Sequence, residues 1–136
     1  MVYQTEFKLK ARSRGCHLVT NEVLSALPPL PKCGILNLFI KHTSAALSIN
    51  ENADPDVRHD LDAALNDIVR ERKSYYMHTL EGDDDMPAHI KTSLIGCSLS
   101  IPITNAKLNM GIWQGIYLCE FRNNASARSI VATITE

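Results

Sequence analysis

Hydrophobic and polar positions alternate along residues 2–10, which predicts a β-strand with one face toward water. Residues 34–41, GILNLFIK, form a more continuous apolar run, as expected for a strand nearer the interior of a sheet. Three further strand-like segments follow Gly96, at residues 97–103, 111–122 and 129–135. The strands are therefore concentrated at the two ends of the chain.

Two helical patterns lie between these groups of strands. A helix is predicted to begin at Asp54, whose carboxylate can accept amide hydrogens of the first turn, with Pro55 at position N1. Its predicted apolar stripe consists of Val57, Leu61, Leu65 and Ile68. A second, short helix is predicted over residues 86–94, with Asp85 as its N-cap. This order predicts a single compact α+β domain over residues 1–136, with a largely antiparallel sheet and two or three helices.

Composition narrows the classes of function. The chain has 14 basic and 15 acidic residues, so it has no overall positive field with which to hold nucleic acid. The N-terminal segment lacks the continuous apolar stretch of a signal peptide, and no run approaches the ~20 apolar residues of a membrane span. We therefore expect a cytoplasmic protein that binds neither nucleic acid nor membrane.

The four cysteines form no C-x-x-C pair, which argues against a local zinc knuckle or redox dithiol. We expect them to be reduced and mostly buried. They are Cys16, Cys33, Cys97 and Cys119.

Residues 76–90, YMHTLEGDDDMPAHI, contain the highest local concentration of side chains that could ligate a metal. His78 and His89 flank an acidic run within this segment. The acidic residues are Glu81, Asp83, Asp84 and Asp85. Imidazole and carboxylate are natural ligands of divalent metals and carry protons near neutral pH, and Gly82 would let the backbone bend between them. The alternative is that the acidic run only caps and complements a helix N-terminus.

A second cluster, His42-Thr43-Ser44, directly follows the apolar strand, and Asn50-Glu51 comes shortly after it. Its side chains could bond phosphate oxygens, although His42 could equally be a core histidine with its hydrogen bonds satisfied. Ser44 lacks the flanking glycines of a nucleophile elbow, which disfavours a nucleophilic role. In a third cluster, GIWQG at residues 111–115, Trp113 is either a pocket wall or the main core aromatic.

Four long segments resemble the YjbQ-like family, also called the secondary thiamine-phosphate synthase enzyme family. They are RGCHLVTNEV, HTSAALSINENADPDVRHDL, HTLEGDDDMPAHIKTSLIG and GIWQGIYLCEFR. The resemblance covers nearly the whole chain, in the family's order. One departure is Ile112, which stands where the family usually has threonine before Trp-Gln.

The resemblance implies a compact α+β fold, a homotrimer and a pocket of histidines and acidic groups that takes a small phosphorylated substrate. The matching positions are His42, His78, His89, Asn50, Glu51, Asp84 and Gln114. It also implies a transferase activity of the thiamine-phosphate synthase type, which joins a pyrimidine pyrophosphate to a thiazole phosphate.

In this hypothesis the catalytic residues are His42, His78 and His89. The substrate-binding residues are Thr43, Ser44, Asn50, Glu51, Trp113 and Gln114. A divalent metal ion, the candidate cofactor, would neutralise the leaving pyrophosphate, held by His78, Glu81, Asp84 and His89. The competing hypothesis is a non-catalytic module that binds a metal or a phosphate ligand with the same residues.

Overall fold

The computed structural model describes residues 1–136 and contains eight strands and three helices. In chain order they are β1 (Val2–Leu9), β2 (Gly15–Leu18), α1 (Thr20–Ser25), β3 (Cys33–Ile40), β4 (Ala45–Glu51), α2 (Pro55–Ile68), α3 (Asp85–Ile95), β5 (Ser98–Thr104), β6 (Lys107–Leu108), β7 (Gln114–Glu120) and β8 (Arg128–Thr135).

The strands form two sheets. The large sheet has the order β1-β8-β3-β5-β6, and the small sheet has the order β2-β7-β4. All paired strands are antiparallel. The prediction of an α+β domain with largely antiparallel strands is confirmed, and the strands are divided between two sheets.

The main core lies between the two sheets. In β8 every second residue from Arg128 to Ile134 is buried, because successive side chains of a strand point to opposite faces. Fifteen buried apolar residues fill this layer. They are Leu9, Val19, Val23, Leu36, Leu38, Ile40, Ala45, Leu47, Ile101, Ile103, Ile116, Leu118, Ile130, Ala132 and Ile134.

A second core lies on the opposite face of the small sheet, where α2 and α3 pack. Tyr117, Cys119 and Phe121 on one side meet Leu65 of α2 and Ala88 of α3. Because β7 is central in the small sheet and covered on both faces, its residues 115–120 are all buried. This explains the unbroken apolar pattern GIYLC.

The predicted α2 begins as expected, since Asp54 Oδ1 accepts a hydrogen bond from the Asp56 amide at 2.9 Å. The predicted apolar stripe is wrong at its end, where Ile68 is 71% exposed. The helix ends at Ile68, and the next residue, Val69, leaves the helical conformation and is buried instead.

The predicted cap of α3 is also wrong. Asp85 is the first helical residue, and the N-cap position is Asp84, whose side chain makes no capping bond. The Asp85 carboxylate instead contacts His78, His89 and Arg122. Side chains from the preceding loop, from the next turn of α3 and from beyond β7 therefore replace the local capping interaction.

Two further expectations need correction. The strand predicted to begin at residue 111 begins at Gln114, because the Gln114 amide closes a turn onto the Gly111 carbonyl at 3.0 Å. All four cysteines are free thiols, but only Cys119 is buried, and Cys33 and Cys97 are exposed. None of the helices has both the length and the hydropathy of a membrane-spanning helix.

Candidate functional site

Three ligand-type side chains converge at the start of α3. His78, from the loop before the helix, places Nε2 2.6 Å from Asp85 Oδ2, and His89 places Nε2 3.0 Å from the same oxygen. Asp85 and His89 lie on one face of α3 because they are four residues apart. Their ligand atoms all lie within 4.8 Å of one another. We call His78, Asp85 and His89 the His/Asp cluster.

The backbone fixes the orientation of one imidazole. His89 Nδ1 lies 2.8 Å from the carbonyl oxygen of Thr43, which can only accept a hydrogen bond. The proton therefore sits on Nδ1, and Nε2 points toward the Asp85 carboxylate. A neutral Nε2 and a carboxylate oxygen both present lone pairs, so a proton or a cation is needed between them. The ring is oriented as in metal sites, where a ligating histidine donates its other N–H to a carbonyl.

Arg122, two residues after the end of β7, holds the acidic groups of the site in place. Its Nη1 donates to Asp85 Oδ1, its Nε donates to Asp84 Oδ2 at 2.8 Å, and its Nη2 donates to the Glu81 carbonyl at 3.0 Å. Burial alone would raise the pKa of Asp85, but the adjacent imidazoles of His78 and His89 and the Arg122 charge lower it. Asp85 is therefore a carboxylate with one oxygen held by Arg122 and one facing both imidazoles.

Asp84 has a positioning role in this arrangement. Its Oδ2 also accepts a hydrogen bond from the backbone amide of Asn123 at 2.9 Å. Against the effect of burial, the Asn123 amide and Arg122 hold the pKa of Asp84 below its ordinary value. Gly82, at φ 110°, makes the preceding bend, and a Cβ there would lie 2.9 Å from Asp84 Oδ1. Glycine is thus the residue that lets Asp84 reach Arg122.

The donor set differs from the predicted metal ligands. His78 and His89 come together, but Glu81 is exposed and Asp84 is bound to Arg122. Asp85 supplies the carboxylate that faces the two imidazoles. A sequence signal for this exists, because an Asp four residues before a His on one helix places both on the same face. Arg122 carried no local signal, since it lies 37 residues from Asp85.

A pocket of about 580 Å³ adjoins the His/Asp cluster, and its lining includes His42 and Thr43 of the second predicted cluster. Ten residues line it: Phe39, Ile40, Lys41, His42, Thr43, His89, Thr92, Ser93, Gly96 and Cys97. His42 Nε2 accepts the Ser129 amide at 2.8 Å, so the neutral ring carries its proton on Nδ1. Burial, followed by the charge of Arg128, lowers the pKa of His42, which keeps the ring neutral at pH 7.

Ser44 lies behind this pocket, in contact with a buried ion pair. Arg128 Nη2 donates to both the hydroxyl and the carbonyl of Ser44, at 3.1 and 3.3 Å. Arg128 Nε donates to Glu120 Oε1 at 2.7 Å, and Glu120 is completely buried. The Ser44 hydroxyl thus helps to satisfy a buried guanidinium, and it has no hydrogen bond to a base that would make it a nucleophile.

The remaining predicted residues lie at the other end of the small sheet. Glu51 pairs with Gln114 at that end, whereas Ala45 pairs with Glu120 near the His/Asp cluster. Six residues of extended strand separate the two pairs, which corresponds to roughly 20 Å. We call the two ends the Gln114 end and the His/Asp end. A single chain does not bring Asn50, Glu51, Trp113 and Gln114 to the His/Asp cluster.

Trp113 is 62% exposed, so it is not the main core aromatic. A pocket of about 660 Å³ lies beside Gln114. Its eight lining residues are Lys10, Arg12, Leu18, Thr20, Asn21, Glu22, Asn52 and Gln114. The charged groups in this pocket are partly paired with each other, because Arg12 Nη2 donates a hydrogen bond to Glu22 Oε1 at 2.6 Å.

Comparison with known proteins identifies the family. The family model described as "UPF0047 protein YjbQ-like" matches residues 5–136. The chain belongs to the UPF0047 (YjbQ-like) family. It is 46% identical over 136 residues to the UPF0047 protein YjbQ of Escherichia coli O157:H7, with 98% of each chain covered. The resemblance inferred from the sequence is therefore confirmed at the level of the family.

Solved structures of UPF0047 relatives have the same fold. A crystal structure of an uncharacterised YjbQ/UPF0047 protein from Clostridium acetobutylicum matches with a TM-score of 0.81 at 36% identity, covering 96% of this chain and 99% of that one. A YbjQ-like protein of unknown function from Sulfolobus solfataricus matches with a TM-score of 0.84 at 24% identity, covering 98% of this chain and 96% of that one. At that identity the second match supports the fold alone.

Proposed function

We propose that His78, Asp85 and His89 bind a divalent metal ion at a site that takes a phosphorylated ligand. The observation that carries the proposal is the hydrogen bond from His89 Nδ1 to the Thr43 carbonyl, which directs the Nε2 lone pair at the Asp85 carboxylate. Two imidazole nitrogens and one carboxylate oxygen form a donor set suited to zinc and similar ions, with further coordination positions left for a ligand.

The reaction we propose is of the thiamine-phosphate synthase type. The thiazole nitrogen attacks the methylene carbon of the pyrimidine, and the bond from that carbon to the pyrophosphate oxygen breaks. A divalent ion at the cluster would stabilise negative charge on the departing pyrophosphate. The roles of the chain's own residues follow from the adjoining pocket, where the Nδ1–H of His42 and the hydroxyl of Thr43 are donors for phosphate oxygens.

We further propose that the chain forms a homotrimer, in which the Gln114 end of one chain meets the His/Asp end of its neighbour. The separation of the two ends within one chain supports this arrangement. Large exposed apolar residues also lie at both ends: Met77 and Leu80 beside His78, and Ile112 and Trp113 beside Gln114. Light scattering of the purified protein tests the assembly, and a monomer mass would contradict it.

The non-catalytic alternative is favoured by a different observation. Two groups beside the pocket that could accept a proton from a substrate are already hydrogen-bonded: the Ser44 hydroxyl contacts Arg128, and His42 Nε2 accepts the backbone amide of Ser129. A site without a free base is sufficient to hold a metal or a phosphate ligand stoichiometrically. This alternative predicts ligand binding without turnover.

The first experiment measures zinc and magnesium binding by calorimetry for the wild type, His78→Ala and His59→Ala. His59 is the matched control because it is exposed on α2 and bonds only the neighbouring Asp60. We expect His78→Ala to lose binding and His59→Ala to retain it. Equal affinity in all three proteins would contradict the metal proposal.

The second experiment separates the two functions. Formation of thiamine phosphate from the two phosphorylated precursors is measured with added magnesium, beside His78→Ala protein purified identically. Activity that is lost in the variant supports the transferase. Metal binding without product in the wild type would contradict the transferase and support the binding module.

A further inference from the structure

Two cysteines face each other across neighbouring strands of the small sheet, away from the His/Asp cluster. Cys16 of β2 is the direct register partner of Cys119 of β7. On the side of β7 that faces β4, the backbone amide just after the strand, that of Phe121, donates to the Ser44 carbonyl. On the side that faces β2, the Ile116 carbonyl of β7 accepts the Val19 amide. Successive residues of β7 direct their N–H and C=O groups to opposite sides of the strand. Cys119 is two residues from Phe121, so its N–H and C=O point toward β4 and not toward β2. Cys16 and Cys119 are therefore a non-hydrogen-bonded pair.

This type of pair suits a disulfide. Opposed residues at non-hydrogen-bonded positions have Cα atoms about 4.5 Å apart. Disulfides usually join residues whose Cα atoms are about 4.4–6.8 Å apart. Both side chains also point to the same face of the sheet, toward α2 and α3, where Cys119 belongs to the second core and Cys16 packs against it. A bond between the two sulfurs requires no change of register.

The two thiols differ in their surroundings. Cys119 is completely buried, whereas Cys16 is only partly buried. The neighbouring Cys119 thiol lowers the pKa of Cys16, and Lys91 and Arg58 add to this against burial and the charge of Asp62. The Cys16 thiol, together with burial, raises the pKa of Cys119. Cys16 is thus the more nucleophilic and the more accessible thiol of the pair.

We propose that Cys16 and Cys119 form a reversible intramolecular disulfide when the protein meets hydrogen peroxide. The Cys16 sulfur attacks one peroxide oxygen and the O–O bond breaks, which gives a sulfenic acid on Cys16 and one water. The Cys119 sulfur then attacks the Cys16 sulfur, the S–O bond breaks, and the departing hydroxide takes the Cys119 proton as a second water. Two thiols are oxidised and one peroxide is reduced.

The test uses the full chain with both exposed cysteines replaced, Cys33→Ser/Cys97→Ser, so that only the pair remains. The protein is treated with hydrogen peroxide, and its thiols are counted in denaturant with and without dithiothreitol. We expect both thiols to be lost, the intact mass to fall by two hydrogens, and dithiothreitol to restore both. Two surviving thiols, or a mass gain from sulfinic acid, would overturn the proposal.

Two variants in the same background identify the roles. With Cys16→Ser, the buried Cys119 is expected to keep its thiol under the same treatment. With Cys119→Ala, Cys16 is expected to accumulate sulfenic acid that dimedone labels. Peptide mapping of oxidised wild type provides a test that does not depend on any variant folding, and a linkage other than 16 to 119 would also overturn the proposal.

Discussion

The two ends of the small sheet both carry polar side chains, but they use them differently. At the Gln114 end the side chains bond the backbone: Asn52 Nδ2 donates to the Ile112 and Gln114 carbonyls, both at 3.1 Å, and Gln114 Oε1 accepts the Gly111 amide at 2.7 Å. At the His/Asp end, two imidazole nitrogens face one carboxylate oxygen.

The difference separates side chains that build a turn from side chains whose nitrogen and oxygen atoms converge on one point. Satisfied side-chain bonds to backbone stabilise local structure and need nothing further. Lone pairs that converge on one point in a partly buried site are unfavourable unless a proton or a cation lies between them. We therefore expect substitutions at the His/Asp end to change metal affinity and substitutions at the Gln114 end to change local stability.

The largest effect is expected from Asp85→Asn. The amide is nearly the same size but neutral, so it loses the charge that attracts the metal and the ion pair with Arg122. We expect the affinity for zinc to fall by more than about 100-fold, because loss of a direct ligand should exceed the roughly 10- to 100-fold cost of an outer partner. Calorimetric titration measures the change.

Asp83→Asn is the matched control for this substitution. Asp83 belongs to the same acidic run, but its side chain is 59% exposed and pairs with Arg72 at 3.1 Å. We expect its zinc affinity to stay within about twofold of wild type, since exposed ion pairs contribute little. If both variants lost affinity equally, the site would depend on the overall acidity of the run and not on the placement of Asp85.

The next effect is expected from Arg122→Lys. Lysine keeps the positive charge but cannot donate simultaneously to Asp84, Asp85 and the Glu81 carbonyl. We expect roughly 10- to 100-fold weaker zinc binding, as is typical when an outer partner of a metal ligand is lost. Arg72→Lys, at an exposed pair, is the control and should bind like wild type. If Arg122→Lys bound zinc as tightly as the wild type, the position of Asp85 would not depend on Arg122.

Parts of this site could be predicted from the sequence because their signals are local. Residues 76–90 showed the concentration of histidines and acids, and Asp54-Pro55 marked the start of α2. The sequence predicts a capping role for Asp85 because capping is the local interaction available to an acid before a helix. Its actual partners come from residue 78, from one turn along α3 and from the end of β7.

Other features could not be predicted because they depend on tertiary packing. The sequence predictions omit strand β4. Leu47-Ser48-Ile49-Asn50 alternates apolar and polar residues, but this run is short and follows two alanines, and pairing with β7 determines its conformation. The grouping of Asn50, Glu51, Trp113 and Gln114 with the histidines came from the family resemblance. The register of β4 places these residues at the opposite end of the small sheet.

A smaller effect is expected in the pH dependence of stability. Burial and then the Arg128 charge lower the pKa of His42 below its ordinary value of 6.5, so the unfolded chain binds a proton that the folded chain does not. The contribution of His42 to stability is therefore complete above pH 6.5 and is lost as the pH decreases below it, by at most about 1.4 kcal/mol per pH unit.

His42→Gln removes this titration and retains an oxygen that can accept the Ser129 amide. The free energy of unfolding in urea, measured at pH 7.5 and pH 5.5, should fall less for the variant than for the wild type. His17→Gln is the control, because His17 lies on β2 and its ring bonds only the Ser13 carbonyl. An equal fall in wild type and His42→Gln would mean that another group causes the pH dependence.

The smallest effect is expected from Gln114→Ala, at the opposite end of the small sheet. The substitution removes the hydrogen bond from the Gly111 amide, which is exposed and can be satisfied by water. We expect the free energy of unfolding to fall by about 1 kcal/mol, the usual contribution of one hydrogen bond, and zinc affinity to stay within about twofold. Urea unfolding and calorimetry measure the two quantities on one preparation. A large loss of zinc affinity in the isolated chain would contradict the separation of the two ends of the small sheet. A loss of zinc affinity seen only at concentrations where chains associate would indicate that the Gln114 end of one chain meets the His/Asp end of its neighbour.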